Sequence, residues 1–226
     1  MNNGIGNHGM KGGAMKLIAA GWEEKRNVLL LSSAPSKPSE ERLEKIVRLL
    51  LKELGLDVND QHFRDTPRRV AQFYQEYSLG TRVLPANILK TFQSKSSALI
   101  TVSSIDFYSL CPHHLLPYGG KIHFSYVPNG RIVGISKIPR LVHALAARPV
   151  VQEDLVADIA DAFISVVRPL GCAVKAIAKH DCVAARGVKC PSTAMTAVAL
   201  RGIFQEKESL CREFEQAIEE GTTCVR

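Results

Sequence analysis

The spacing of apolar residues changes from a helical to a strand pattern near residue 98, and this change limits the folds that the chain can adopt. Between residues 39 and 80, apolar residues recur every three or four positions, as on one face of a helix. From residue 98 onward, stretches such as ALITVSSIDF mix β-branched and small residues, which favour strands. The sequence therefore predicts a helical N-terminal region followed by a part that contains both strands and helices.

Two helices are predicted in the N-terminal region. The first covers SEERLEKIVRLLLKELG: Ser39 can cap its start, and Gly55 can end it in a left-handed conformation. The second begins in DTPRRV, where Thr66 can cap and Pro67 fits the first turn because its missing N–H has no helical partner there. Gly80 is expected to close this second helix.

The following segments predict the order strand, hairpin, helix, helix, strand, strand and helix. The hairpin lies in GKIHFSYVPNGRIVGI, where Asn129 and Gly130 suit the positive φ angles of a tight turn. The elements after it are expected at residues 136–147, 152–168, 172–183, 193–204 and 210–218. An antiparallel sheet with two helices on one face is an α+β fold. Its open edges are places where subunits can pair.

The chain is expected to divide into three regions. Residues 1–38 are Gly- and Asn-rich and end in a Ser- and Pro-rich linker, which indicates a mobile arm. Residues 39–95 form the helical region, and residues 96–226 form the α+β domain. No apolar run approaches the roughly 18 residues of a membrane span, and the N-terminal apolar patch is too short for a signal peptide. We therefore expect a cytoplasmic protein.

The net charge of +7 suits a polyanionic ligand, although a simply basic surface would give the same value. Nucleic-acid binding is not favoured, because aromatic residues make up only 6% of the chain and the densest basic cluster is Arg68-Arg69. The six cysteines lack the export signal and the density of a disulfide scaffold. Reduced thiols are expected, and some of them could bind a metal.

Two segments combine cysteine with histidine. SLCPHHLLPYGGK contains Cys111, His113 and His114, and AKHDCVAARGV contains His180 and Cys182. A catalytic zinc ion takes three protein ligands and leaves a fourth position for water. Cys111, His114 and Cys182 are the candidate ligands, and the other two imidazoles could transfer protons. The alternative is a tight turn whose thiol and imidazoles only fill space.

The second of these segments is predicted to lie on the strand at residues 172–183. Residues two apart in a strand face the same side of a sheet. If Cys182 binds the metal, His180 should then project beside it.

The segments CPHHLLPYGGKIHFSYVPNGRIVGISKIPRLV, ARPVVQEDL and KHDCVAARGV resemble the GTP cyclohydrolase I family, as do DTPRRV and the closing REF. The resemblance covers about residues 40–216. It implies the tunnelling fold, in which antiparallel sheets join into barrels, usually as a decamer of two pentamers. It also implies a zinc enzyme that opens the imidazole ring of GTP, releases C8 as formate and forms 7,8-dihydroneopterin triphosphate.

The resemblance assigns the same five Cys and His positions to zinc binding and catalysis. It further implies a set of substrate-binding residues: Gln152, Glu153, Ser136, Lys137, Arg140, Arg186 and Arg69. Glu153 would accept the N1–H and 2-amino hydrogens of guanine, and the basic residues would bind the triphosphate at or near a helix N-terminus. Taken alone, Glu153 could equally stabilise its own helix, and the basic residues could be solvated.

The chain departs from the family pattern at Pro112, where most members have Glu. This change puts the hydrogen bonding around the metal turn in doubt. Two alternatives to the full reaction remain: a purine-nucleotide hydrolase that opens the ring without completing the pterin, and a non-enzymatic zinc protein with a fourth ligand such as Cys190. The sequence does not select among folate, biopterin and deazapurine pathways.

Overall fold

The structure is a computed structural model that describes residues 38–224, which belong to one compact unit spanning residues 36–226. The predicted N-terminal arm falls almost wholly outside the described residues, and the boundary at residue 95 stays a prediction. The helices are α1 (Glu40–Glu53), α2 (Thr66–Glu76), α3 (Pro85–Ile88), α4 (Lys137–Ala146), α5 (Gln152–Val167), α6 (Asp181–Ala184) and α7 (Glu208–Cys224). The strands are β1 (Thr91–Gln93), β2 (Ile100–Leu110), β3 (Pro117–Val127), β4 (Arg131–Val133), β5 (Gly171–His180) and β6 (Met195–Gly202).

The start and end of α1 follow from its terminal residues. The hydroxyl of Ser39 accepts a hydrogen bond from the Arg42 backbone N–H at 3.3 Å, and Gly55 adopts φ of 74° just after the helix. Helix α2 ends at Glu76 rather than at Gly80. Gly80 instead donates its N–H to the Ala147 carbonyl at 2.8 Å, and a Cβ there would collide with that backbone. Gly80 therefore allows the backbone to pack closely against the end of α4 and does not end α2.

One four-stranded antiparallel sheet, in the order β2-β3-β5-β6, organises the C-terminal part. Helices α4 and α5 pack against one of its faces, and α7 covers part of the other. The α+β prediction is confirmed, and two helices on one face of an antiparallel sheet is the tunnelling-fold arrangement. None of the described helices combines the length and apolar composition needed to cross a membrane.

The main core lies between the sheet and the α4/α5 layer. Phe124 and Tyr126, two residues apart on β3, both contact Phe163 of α5, with ring centroids 4.6 and 4.9 Å apart. All three side chains are fully buried. A smaller apolar cluster under α7 contains Val127, Ala173, Phe204, Phe214 and Ile218. The two clusters cover opposite faces of the sheet and fix the strands that end at the site described below.

The hairpin prediction was wrong in its pairing. β4 pairs antiparallel with β1, not with β3. The reason is that β3 already pairs with β2 on one edge and β5 on the other, so it has no free edge for β4. Only Gly130 has a positive φ, of 71°, so Asn129-Gly130 does not form the tight turn that needs two such residues.

Candidate metal centre and the surrounding site

The first cysteine is fixed by a closed backbone turn at the end of β2. The Cys111 N–H donates to the Leu116 carbonyl at 2.8 Å, and the Leu115 N–H donates to the Cys111 carbonyl at 2.8 Å. Leu115 has a φ of 53°, in the left-handed region. Pro112 follows Cys111 inside this turn, and neither of these two bonds uses the backbone nitrogen of residue 112. The geometry therefore accommodates proline at this position.

Three side chains converge beside this turn. Each of the three offers one ligand atom, and these atoms lie within 4.8 Å of one another; the residues are Cys111, His114 and Cys182. The Cys111 Sγ is 3.7 Å from the His114 Nδ1, close to the roughly 3.6 Å that tetrahedral zinc would impose on bonds of about 2.3 and 2.05 Å. Within residues 38–224 no other such group of Cys, His, Asp or Glu occurs. The chain thus has a Cys-His-Cys group that can bind a metal ion.

The prediction that Cys182 extends from a strand was wrong. β5 ends at His180, and Cys182 lies in the single helical turn α6, where Ala185 N–H closes back onto the Asp181 carbonyl at 2.9 Å. The sharp change of backbone direction brings the thiol to Cys111. His180 and Cys182 are therefore neighbours across a strand-to-helix junction and not on one strand face.

The two thiols interact directly. Burial raises the pKa of Cys182, and the hydrogen bond and charge of the Cys111 thiol raise it further. A divalent cation favours the charged, thiolate form of a cysteine ligand such as Cys182. Two sulfurs and an imidazole are also a donor set that suits zinc. The residues present therefore fit a metal ion.

His113 lies beside the metal group but is not one of its three members. Its Nδ1 is 3.7 Å from the Cys111 Sγ, and its ring is 6.3 Å from that of His114 at 79°. His113 is exposed. This position leaves its imidazole accessible to a bound molecule.

His180 is fixed from two directions. Its ring stacks on Tyr118 with centroids 4.4 Å apart and planes 3° apart, and its Nε2 is 2.9 Å from the Gln152 Oε1. Burial lowers the pKa of His180, while the nearby carboxylates of Glu153 and Asp181 raise it. Glu153 is exposed on the first turn of α5, so its carboxylate faces solvent near this imidazole.

Tyr118 was missed in the sequence analysis. It is buried, its hydroxyl donates to the Val150 carbonyl at 2.9 Å, and burial raises its pKa to about 12. The available signal was the Gly-Gly pair that follows it. A Cβ on Gly119 would collide with the Tyr108 ring, and one on Gly120 would collide with the Ile177 backbone. These close contacts show that β3 is tightly packed next to Tyr118, on which the His180 ring stacks.

Apart from Glu153, the predicted substrate-binding residues fall into three groups. Arg186 is exposed, and its guanidinium lies 2.5 Å from the His114 Nε2. The residues at the start of α4 are Ser136, Lys137 and Arg140, and Arg69 on α2 pairs with Asp65 at 3.4 Å. No hydrogen bond or ion pair described between residues 38 and 224 joins these four to the metal group. The side chain of Gln152 is buried, with its amide bound inside the protein.

Comparison with known proteins gives a consistent result. The family model for GTP cyclohydrolase I matches residues 43–219. The GTP cyclohydrolase 1 of Thermoanaerobacter pseudethanolicus is 42% identical over 75% of this chain and 91% of its own length. The enzyme of Desulforamulus reducens is 40% identical over 74% of this chain and 91% of its own length. The enzyme of Dehalococcoides mccartyi strain 195 is 38% identical over 80% of this chain and 97% of its own length. A solved structure of archaeosine synthase QueF-Like in the apo form covers 48% of this chain and 97% of its own, with 20% identity and a TM-score of 0.38, which is too low to support an argument.

Proposed function

The chain belongs to the GTP cyclohydrolase I family of hydrolases, and from this premise we propose that it is a zinc enzyme that converts GTP to 7,8-dihydroneopterin triphosphate and formate. The observation that supports this most strongly is the convergence of Cys111, His114 and Cys182 from two distant segments within 4.8 Å. If the turn at Cys111 and His114 only filled space, there would be no reason for a third ligand-type side chain, Cys182, to lie beside it.

We propose that Cys111, His114 and Cys182 bind the zinc ion. When bound at such a site, zinc acts as a Lewis acid that lowers the pKa of a coordinated water from 15.7 toward about 7. A structural zinc site has four protein ligands. Cys190 is not in the group of three within the described part of the chain, so the non-enzymatic alternative is disfavoured.

His180 is proposed to protonate N7 of the guanine ring, which makes C8 more open to attack. Its lowered pKa makes its protonated form a stronger acid, as this step requires. His113, exposed beside the metal group, is proposed to assist later proton transfers, including the loss of the formyl group. Both histidines transfer protons and neither is proposed as a metal ligand.

Glu153 is proposed to accept the N1–H and 2-amino hydrogens of guanine. Its carboxylate is exposed and influences His180 electrostatically, and a guanine ring that spans the two groups would bind Glu153 by one edge and present N7, on the other edge, to the imidazole. The triphosphate is proposed to bind Arg186 together with Ser136, Lys137, Arg140 and Arg69. The start of α4 has the backbone N–H groups and positive dipole that favour phosphate.

A decamer of two pentamers is the proposed assembly, and the cytoplasm is the proposed location. Within the described chain no further strand pairs with the outer edges of β2 and β6, apart from a single bridge between Leu110 and Pro149 at the end of β2. Helix α1 also exposes Ile46, Leu49 and Leu50, each more than half accessible. Neighbouring copies that covered these surfaces would also bring together basic residues that lie apart in one chain.

The decisive experiment incubates the metal-loaded full chain with GTP and follows formate and the dihydropterin chromophore together. We expect the two products in equal amounts. Formate without the pterin would support the hydrolase that only opens the ring, and neither product would overturn the proposal. Cys190→Ser is the matched control, because it alters a neighbouring thiol outside the metal group and should keep both products.

A further inference from the structure

The buried amide of Gln152 connects three parts of the molecule. Its side chain is 1% exposed at the first position of α5. Its Nε2 donates to the carbonyls of Ala176 on β5 at 3.0 Å and Met195 on β6 at 3.1 Å, and its Oε1 lies 2.9 Å from the His180 Nε2. Every polar hydrogen of this amide is therefore used inside the protein. Its side chain has no hydrogen left to donate to a substrate.

The two carbonyls determine the orientation of the amide. If the group were flipped, its oxygen would face two carbonyl oxygens and no donor would lie between them. The flipped form would lose both hydrogen bonds to these carbonyls and would place the amide oxygen against two other oxygens, which is costly. The Gln152 oxygen must therefore face His180.

An acceptor at this position also fixes the proton on His180. Only an N–H can donate to the Gln152 Oε1, so the neutral imidazole must have its hydrogen on Nε2 and its lone pair on Nδ1. The parallel stacking on Tyr118, at 3° between planes, restrains the ring from turning to exchange the two nitrogens.

We infer that Gln152 is a positioning residue that fixes His180 in the tautomer with hydrogen on Nε2, so that Nδ1 exchanges the proton in the reaction. The inference rests on the proposed function. In that reaction a proton on Nδ1 passes to N7 of guanine, which leaves His180 neutral with its Nε2 hydrogen still bound to Gln152. Gln152 thus acts through His180 rather than by binding the substrate itself.

The kinetic test replaces Gln152 by Met, which keeps the length of the side chain and removes its hydrogen bonds. Loss of one such bond predicts a fall in kcat of about 10- to 100-fold, while KM for GTP should change less than about threefold. Zinc content should be unchanged. Ser125→Ala is the control, because Ser125 is also buried and its hydroxyl donates to a backbone carbonyl, that of Ile100 at 3.1 Å. Ser125 lies on β3 seven residues from Tyr118 and pairs with Ala173 rather than with His180, so its kcat should stay near wild type.

Two kinetic outcomes would overturn the inference. One is a kcat for Gln152→Met within twofold of wild type. The other is a raised KM with unchanged kcat, which would instead indicate direct substrate binding.

A spectroscopic test needs neither a stable variant nor turnover. In full-length protein with ¹⁵N-labelled histidine, the His180 signals are assigned by their loss in His180→Gln. At a pH where the ring is neutral we expect the hydrogen on Nε2, and a mixture of tautomers in Gln152→Met. Hydrogen on Nδ1 in the wild type would refute the inference. If the wild type shows the Nε2 tautomer but releases no formate from GTP, the proposed function fails and the positioning of His180 stands.

Discussion

The metal end of the site and its phosphate end are built in different ways. At the metal end, backbone hydrogen bonds close the turn that contains Cys111, and a buried amide and a stacked tyrosine fix His180, all within a single chain. At the phosphate end, Ser136, Lys137 and Arg140 lie at the start of α4 and Arg69 lies on α2, and none is described in contact with the metal group. Only Arg186 reaches the metal end, through His114.

This difference indicates what one chain can achieve alone. Metal coordination requires positions fixed to a fraction of an ångström, and a single fold supplies them through short hydrogen bonds. Binding of a flexible polyanion tolerates exposed, mobile cations, which can come from neighbouring copies. The comparison predicts that changes at the metal end lower kcat, whereas changes at the phosphate end raise KM.

The largest effect is expected from Cys182→Ala. Removing one of three ligands should abolish stoichiometric zinc binding and lower formate release by about 10³-fold or more, because the metal supplies the Lewis acid. Metal analysis and a formate assay measure both effects. Zinc retained at one equivalent per chain would show that the ion binds elsewhere.

His180→Ala is expected to come next. Loss of a general acid should reduce kcat about 10²- to 10⁴-fold and leave the zinc content unchanged. His62→Ala, which removes an exposed imidazole that contacts the neighbouring Gln61, is the control. Full activity in His180→Ala would remove this residue from the mechanism.

Arg140→Ala tests the phosphate end. The loss of one charge-assisted contact should raise KM for GTP about 10- to 100-fold with little change in kcat. Arg131→Ala changes an exposed arginine on β4 and should leave KM unaltered. A fall in kcat at constant KM would contradict the division between the two ends.

Tyr118 gives the smallest expected effect. Its folded pKa of about 12 exceeds the usual value of 10, so the unfolded chain loses this proton first as pH rises. The tyrosine should therefore cost about 1 kcal/mol of stability at pH 11 relative to pH 9. Denaturant unfolding of wild type and Tyr118→Phe at both pH values isolates this contribution; identical pH dependence would show that Tyr118 is not buried in solution.

Much of the fold could be predicted because local signals agreed with the final structure. Ser39 and Gly55 delimit α1 as expected, and the alternation in β3 places Phe124 and Tyr126 in the core. The pairing of β4 could not be predicted from its local sequence, because it depends on β2 and β5 occupying both edges of β3.

The same distinction between local and long-range signals applies to the site. The residue types and short spacing of Cys111, His113 and His114 indicated metal chemistry, and the structure brings Cys182 to them. The helical turn at residues 181–184 was not predicted, because four residues are too few for periodicity to show. The contact between Gln152 and His180 spans 28 positions and depends on packing between α5 and β5, which no sequence pattern in either segment reveals.

X-ray absorption at the zinc edge of the purified, metal-loaded chain tests the central claim most directly. The account predicts one zinc per chain with two sulfurs at about 2.3 Å and nitrogen or oxygen neighbours at about 2.0 Å. In Cys182→Ala the two-sulfur signal should disappear. A wild-type spectrum with four sulfurs, or with none, would contradict a catalytic zinc ion bound by Cys111, His114 and Cys182.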